Sequence, residues 1–417
     1  VTVLVGSRAY AGPALTSGAG VVEPTSLKAF VRYAVENNLR LKAARLKWKA
    51  VAEKYSVSVA YDDPMLTYLH PLDPVETRLG PQDSMLMLSQ KIPFPGKLGL
   101  KGRIALKETD IARTEYEFAL RNLTTAVKKA FYELYYIDKA TVLAKENDAV
   151  LKYFAEVSRA NYGLDTSELD ELVRSQKLSA DASLKLIMME DMREGAVARL
   201  NTFLNLAPDN HIELLEELKP EPFAHTRADL YRWAVANHEA LKIAGLRVEL
   251  GELKTSLSKY GYLPDFRLGV NYSEIGEPPM AVADAGRDAV AVTFGVNIPI
   301  WFKKNRAAVA RSNIESEKRL MEKRAVLNEL ENEIKKVYFN MMNAERIVKL
   351  YGESLIPEAK ESLGFAEARY KTGKEMLGRI LETQSMWINF RLVYYRAFAD
   401  YLKSIAEMER LTARELY

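Results

Sequence analysis

The sequence predicts a mainly helical fold with a few isolated strands, and three observations carry that prediction. The first is composition. Of 417 residues 28% are charged, and with only 16 Pro and 21 Gly the chain favours long helices over loops. The second is a heptad. Leu320, Leu327, Ile334, Met341 and Val348 are seven apart, with Leu330, Val337, Ala344 and Tyr351 as a companion column. Leu120, Val127 and Leu134, beside Leu123, Ala130, Ile137, Ala144 and Leu151, repeat both columns earlier in the chain. A sustained period of seven means helices packed along their length, in a coiled coil or an ordinary bundle core. The third is duplication. Ala34-Val35-x-Asn37 recurs as Ala234-Val235-x-Asn237, and Leu41-Lys42-x-Ala44-x-Leu46 as Leu241-Lys242-x-Ala244-x-Leu246. Pro64 returns as Pro264 at the same spacing, and Ile92-Pro93 returns as Ile298-Pro299, Tyr162 as Tyr370 and Gln176 as Gln384 at slightly larger ones. The unit so repeated is helix–strand–strand–helix–helix, far longer than a solenoid repeat.

In chain order, residues 1–24 read as an irregular leader, in which VTVLVGSRAYA has the form of a secretory-signal remnant ending at Ala9-Tyr10-Ala11. A disordered arm is the other reading of the same stretch. The first repeat spans 25–206. Pro24-Thr25-Ser26 caps a helix that runs to about Lys54, and strands follow at about 56–70 and 84–94. A helical stretch of about 60 residues comes next, broken near Tyr162-Gly163, and a second helix continues to Leu206. Residues 207–225 join the repeats. The second repeat spans 226–417, with strands at about 264–274 and 288–300.

The strands have two unlike faces. In AVAVTFGVNIPIWF, Val290, Val292, Phe294, Val296, Ile298 and Ile300 alternate with Ala289, Ala291, Thr293, Gly295, Asn297 and Pro299. Phe266, Leu268, Val270 and Tyr272 alternate with Arg267, Gly269, Asn271 and Ser273, and Leu86 and Leu88 with Met87 and Ser89. One such strand fits a small soluble sheet packed on helices. Four of them, flanked by helices too long to fold back compactly, fit the alternating pattern of barrel strands with apolar residues outward. Phe94, Trp301 and Phe302, at the strand ends, suit an interfacial aromatic girdle.

Several function classes have nothing to stand on. A formal charge of +3 with interspersed signs gives no basic stripe for nucleic acid. No Cys is present, so disulfides and thiolate chemistry are excluded. No run of about 18 apolar residues crosses a membrane as a helix, so membrane entry requires a closed barrel. His70, His211, His225 and His238 lack metal-ligand spacing, PGKLGLKG lacks the residues of a phosphate loop, and no nucleophile stands beside a base. Neither an enzyme nor a cofactor site is expected.

The duplicated architecture, the strand endings SQKIPFPGK (89–97) and GVNIPIWFKKNR (295–306), and the stretch ARYKTGKEMLGRILETQ (368–384) together resemble the TolC-like outer-membrane efflux proteins, the exit ducts of bacterial tripartite pumps. The resemblance covers about Thr25 to Leu411, and PFPGK is most similar to the branch associated with heavy-metal cation efflux. It implies a homotrimer in the outer membrane, four strands from each chain in one 12-stranded barrel, and a coiled-coil tunnel extending through the periplasm. It also implies a periplasmic adaptor (membrane fusion) protein docked on the helical tips and a proton-driven inner-membrane pump. On that pattern Leu86, Leu88, Phe266, Leu268, Val270, Val292, Phe294 and Val296 face lipid. Tyr162, Gly163, Tyr370 and Gly373 fall at the tips, although Asp165 occupies the position matching Gly373. Arg379 and Glu382 fall where the family narrows the entrance, and their repeat partners Glu171 and Arg174 carry the opposite signs. A ring of ion pairs and a solvated helix face both fit those four charges. A type I protein-secretion duct and a soluble coiled-coil tether remain the alternative functions.

Overall fold

In the computed structural model, residues 26–163, 169–214, 216–278, 283–372, 374 and 376–416 are described. The leader and its cleavage motif therefore lie outside the described residues, as does Gly373. Helix α1 (Leu27–Asn37) begins at Ser26, whose hydroxyl accepts from Ala29 N, and breaks at Asn38, where α2 (Leu39–Val59) begins. The second repeat does the same. Thr226 caps α5 (Arg227–Asn237), and the chain breaks at His238 before α6 (Glu239–Lys259). Asn37 and Asn237 each donate to the carbonyl four residues back, on Tyr33 and Trp233, so the duplication extends to individual hydrogen bonds.

The strands are β1 (Met65–Leu69), β2 (Glu76–Thr77), β3 (Gly80–Ile92), β4 (Phe266–Ile275) and β5 (Ala289–Val296). Two expected boundaries move. Residues 56–59 are helical, because Tyr55 and Val59, one turn apart, close over Gly102, where an added Cβ would meet Val59 at 2.7 Å. Residues 297–300 leave the sheet: Asn297 turns to bond the backbone of Asp265, and Pro299 has no N–H for a ladder. The path β1-β3-β4-β5 is antiparallel throughout, so the hairpin of each repeat joins the other along β3 and β4.

Helix α3 (Lys97–Gly163) has 67 residues, roughly 100 Å at 1.5 Å per residue. It packs on α2, α6, α4 (Leu169–Leu204) and α9 (Leu377–Thr412), so it belongs to both repeats at once. The heptad columns are its seam: Val127, Ala130, Leu134, Ile137, Ala144 and Leu151 are buried. In α7 (Phe302–Leu350) the column is buried from Leu330 through Ile334, Met341 and Val348, while Leu320 stays exposed. The second repeat departs from the first at Tyr351–Leu355, a π turn between α7 and α8 (Ile356–Lys371). Gly352 lies there under the Tyr394 ring, 3.0 Å from where a Cβ would stand, and Pro357 follows. Residues 205–226 are irregular and held from several sides: Arg193 donates to Ile212 O, Leu27 N to Glu216, and Tyr401 OH to Glu221 O.

At the α5–α6 break His238 is 5% exposed, and neither ring nitrogen has a hydrogen-bond partner. Burial first, and then the Arg410 and Arg121 cations against an opposing Glu333, push its pKa from 6.5 down to about 4. The folded state thus holds the neutral ring. Stability from this site is complete above the unfolded value and is lost as pH falls from about 6.5 to about 4, by on the order of 3 kcal/mol. Melting followed by circular dichroism should show a lower Tm at pH 5 than at pH 7, and His238→Gln should flatten that part of the profile. An unchanged slope in the variant would assign the pH dependence to other groups.

Candidate functional site

The sheet is a thin, two-sided plate. Register places Leu66, Leu88, Val270 and Val292 in one row across the strands, and Tyr68, Leu86, Tyr272 and Val290 in the next. Rows through Gln90, Leu268 and Phe294, and through Ile92, Phe266 and Val296, complete a face that is apolar but for Gln90. Leu86, Leu88, Leu268, Val270, Val292, Phe294 and Val296 are exposed, Val292 by 79%, and only Phe266 is half-buried. The opposite face carries Ser89, Lys91, Arg267, Gly269, Asn271, Ser273, Ala291 and Thr293 with Met65, Thr67, Leu69, Met85 and Met87 at its β1–β3 side, and there Asn271 donates to Thr293 Oγ1 at 2.9 Å. Strands β1 and β5 form the two edges, each laddered on one side only. At the far end from the helices, Ser84 bonds Glu274 at 2.8 Å and Tyr272 OH bonds Asp288. Gly80 (φ +134°) passes so close to Gly276 O, 1.7 Å from an ideal Cβ, that no larger residue fits.

Where sheet meets helices, one carboxylate ties three segments. Asp265 accepts from Lys97 Nζ at 2.9 Å and from Phe94 N at 3.0 Å, and its own N–H bonds Asn297. Its side chain is 13% exposed and that of Lys97 23%, which makes this one of the better-shielded ion pairs. Phe94 is correspondingly half-buried, between Tyr260 and Phe266, and is less free for a girdle than the exposed Trp301 and Phe302. The pattern of alternation passed over Asp265, since nothing in its own neighbourhood marks it; only the Pro64–Pro264 correspondence points to that corner.

At the other end the helices turn in pairs. Tyr162 is exposed and Gly163 closes α3. Tyr370 packs instead into two small clusters with Leu363, Ala366, Leu377, Ile380 and Leu381. Thr372 Oγ1 donates to Arg369 O, and Lys374 N bonds the same carbonyl, which winds the α8–α9 turn tightly. Arg379 and Glu382 do pair, at 3.2 Å, but along one helix and both exposed. Arg174 is exposed on α4, and the side chain of Glu171 lies outside the described residues. No group of acidic or histidine side chains among the described residues has the arrangement of a metal site, and no described helix is long and apolar enough to cross a membrane.

The architecture is thus a long two-repeat helical bundle ending in a two-faced sheet whose main path is β1-β3-β4-β5. The fold is that of the outer membrane protein VceC from Vibrio cholerae, with a TM-score of 0.77 at 15% identity, over 94% of this chain and 97% of that one. The Campylobacter jejuni CmeC outer membrane channel gives 0.72 at 14% identity, over 99% and 94%. The open state of the Neisseria gonorrhoeae MtrE outer membrane channel gives 0.74 at 15%, over 94% and 90%. Residues 230–414 match the family model of outer membrane efflux proteins. That match covers most of the second repeat, and the chain as a whole has the fold of these outer membrane channels. No curated protein matches the chain by sequence.

Asp265→Ala should strand Lys97 half-buried and free Phe94 N, at a cost of about 2–4 kcal/mol. Thermal melting of the purified variant should show a clear drop in Tm, and an unchanged Tm would mean that the corner is held by packing alone.

Proposed function

We propose that the chain is one subunit of a passive exit duct in the bacterial outer membrane, with its helices extending as a tunnel through the periplasm. The observation that supports this best is the sheet: an exposed apolar face on one side, a face that is small and polar along β4 and β5 on the other, and two free edges. Four strands cannot enclose a lumen, since a filled barrel takes about eight. Three copies joined edge to edge make 12 strands with no free edge, which lipid demands of any spanning sheet. Leu86, Leu88, Leu268, Val270, Val292, Phe294 and Val296 then meet lipid, and Asn271 and Thr293 line water. Such a duct performs no chemistry. A periplasmic adaptor docks on the tips near Tyr162, Gly163, Tyr370 and Gly373, and a proton-driven inner-membrane pump supplies the work. The cargo is metal cations or small toxic compounds, a choice guided by the PFPGK strand ending.

Envelope fractionation with sizing of the detergent extract tests the reading, which requires a trimer from the outer membrane; a protein released in aqueous buffer would end it. Phe294→Lys should block membrane assembly because a lysine facing mid-bilayer costs about 2–4 kcal/mol per site, and Thr293→Lys, facing water, should be tolerated. Equal tolerance at both positions would return the strand to a soluble sheet.

The entrance is kept narrow by Arg379, Glu382, Glu171 and Arg174 paired between neighbouring copies. Bilayer recordings should then show a larger closed-state current for Arg379→Ala and Glu382→Ala. If neither variant changes it, these charges are only a solvated face.

A further inference from the structure

The chain already contains, once, the kind of junction its two free edges lack. Along β3 and β4 the first repeat meets the second, with Ile92 opposite Phe266 and Lys97 bonded to Asp265 just beyond the ladder. Ile92-Pro93 and Lys97 recur as Ile298-Pro299 and Lys303, and the helix-to-strand spacing that relates Pro64 to Pro264 relates Leu66 to Phe266. Carried through those correspondences, the same junction puts Ile298 opposite Leu66. These two residues stand at opposite edges of the sheet, so they meet only between different copies. The faces agree: Leu66 lies in the apolar rows, and Ile298 has the parity of Val296. A slip of one residue would turn the Val296 and Ile298 side of β5 away from Leu66 and Tyr68, towards the face of β1 that carries Thr67.

The charges agree as well. Met65 stands where Asp265 would be, but Asp63, two residues earlier on the same edge, supplies a carboxylate, and both Asp63 and Lys303 are exposed in the single chain. Asp62 is already engaged by Lys91 at 3.2 Å, which leaves Asp63 as the acid on that edge.

Resting on the duct reading above, we propose that β5 of one copy, its ladder extended past Val296 to Ile298 by the neighbour, pairs antiparallel with β1 of the next, Ile298 opposite Leu66, and that Lys303 bonds Asp63 of that neighbour. This bond is the inter-subunit counterpart of Lys97–Asp265. Each barrel-to-tunnel corner would then be clamped by one lysine–aspartate pair, three within chains and three between them. A pair covered by the neighbour's strand is shielded as Lys97–Asp265 is, and is worth more than an exposed one.

The absence of native cysteine makes the test clean. Leu66→Cys with Ile298→Cys in one chain, oxidised in isolated membranes, should give covalent trimer on a non-reducing denaturing gel and none after reduction. Leu66→Cys with Asn297→Cys, or with Ile300→Cys, should give much less. Lys303→Glu should lower the temperature at which the detergent-purified trimer dissociates by several degrees, and adding Asp63→Lys should restore it. A stronger cross-link at Asn297 or Ile300, or no restoration by the double charge reversal, overturns the proposal while leaving the trimer standing. The same holds if native mass measurement gives a trimer and no pair cross-links. A wild-type monomer in detergent would instead overturn the duct reading itself.

Discussion

Unsatisfied sheet edges are the constraint on which the rest of this structure depends. Backbone N–H and C=O groups along β1 and β5 point away from the sheet, and neither water-exposed apolar strands nor lipid tolerate them as an end state. Charged gatekeepers, prolines and covering loops are the usual remedies, and β5 has none of them along its length: Ala289 to Phe294 are all exposed. In the proposed duct such an edge is covered by a neighbouring copy, and long parallel helices suit a tube built by repetition.

The duplication shows how one chain contributes two quasi-equivalent staves. Helix α3 is the common spine, buried against α2 and α4 of its own repeat and against α6 and α9 of the other, so the repeats do not form separate domains. Their equivalence ends at two places. The first-repeat break is capped by Asn38, which accepts from Leu41 N and donates to Phe203 O, whereas the second carries a buried, unbonded His238. The α3 helix runs unbroken where the second repeat has the π turn at Tyr351–Leu355. Both departures put the irregular feature in the second repeat.

Polar anchoring runs from the sheet corner along the bundle, where Lys47 pairs with Glu115, Lys107 with Glu249 and Arg193 with Asp138. Around Asp265 a strand end, a helix start and a second strand end converge on one carboxylate. Towards the C-terminus Lys128 and Lys129 reach Glu409 and Glu407 of α9, and Lys403 reaches back to Glu133. Between these anchors, packing of the heptad columns carries the length of the bundle. Ion pairs between helices add register along it, while apolar burial supplies most of the stability.

Sequence alone was sufficient for whatever has a period. The heptads, the alternation along β3, β4 and β5, and the repeated Asn37 and Asn237 were all legible, because a helix or strand face is a one-dimensional property of the chain. Tertiary structure alone decided what depends on contacts across sequence distance. It moved residues 56–59 into α2 because Tyr55 and Val59 needed Gly102, and it ended β5 at Val296 because Asn297 was claimed by Asp265. It paired Arg379 with its own helix neighbour Glu382 and half-buried Tyr370 at the tip, neither of which spacing distinguishes from a ring or an exposed contact. It also joined the two hairpins along β3 and β4. That long-range pairing, which no local pattern encodes, turned four separate strands into one plate with two open edges.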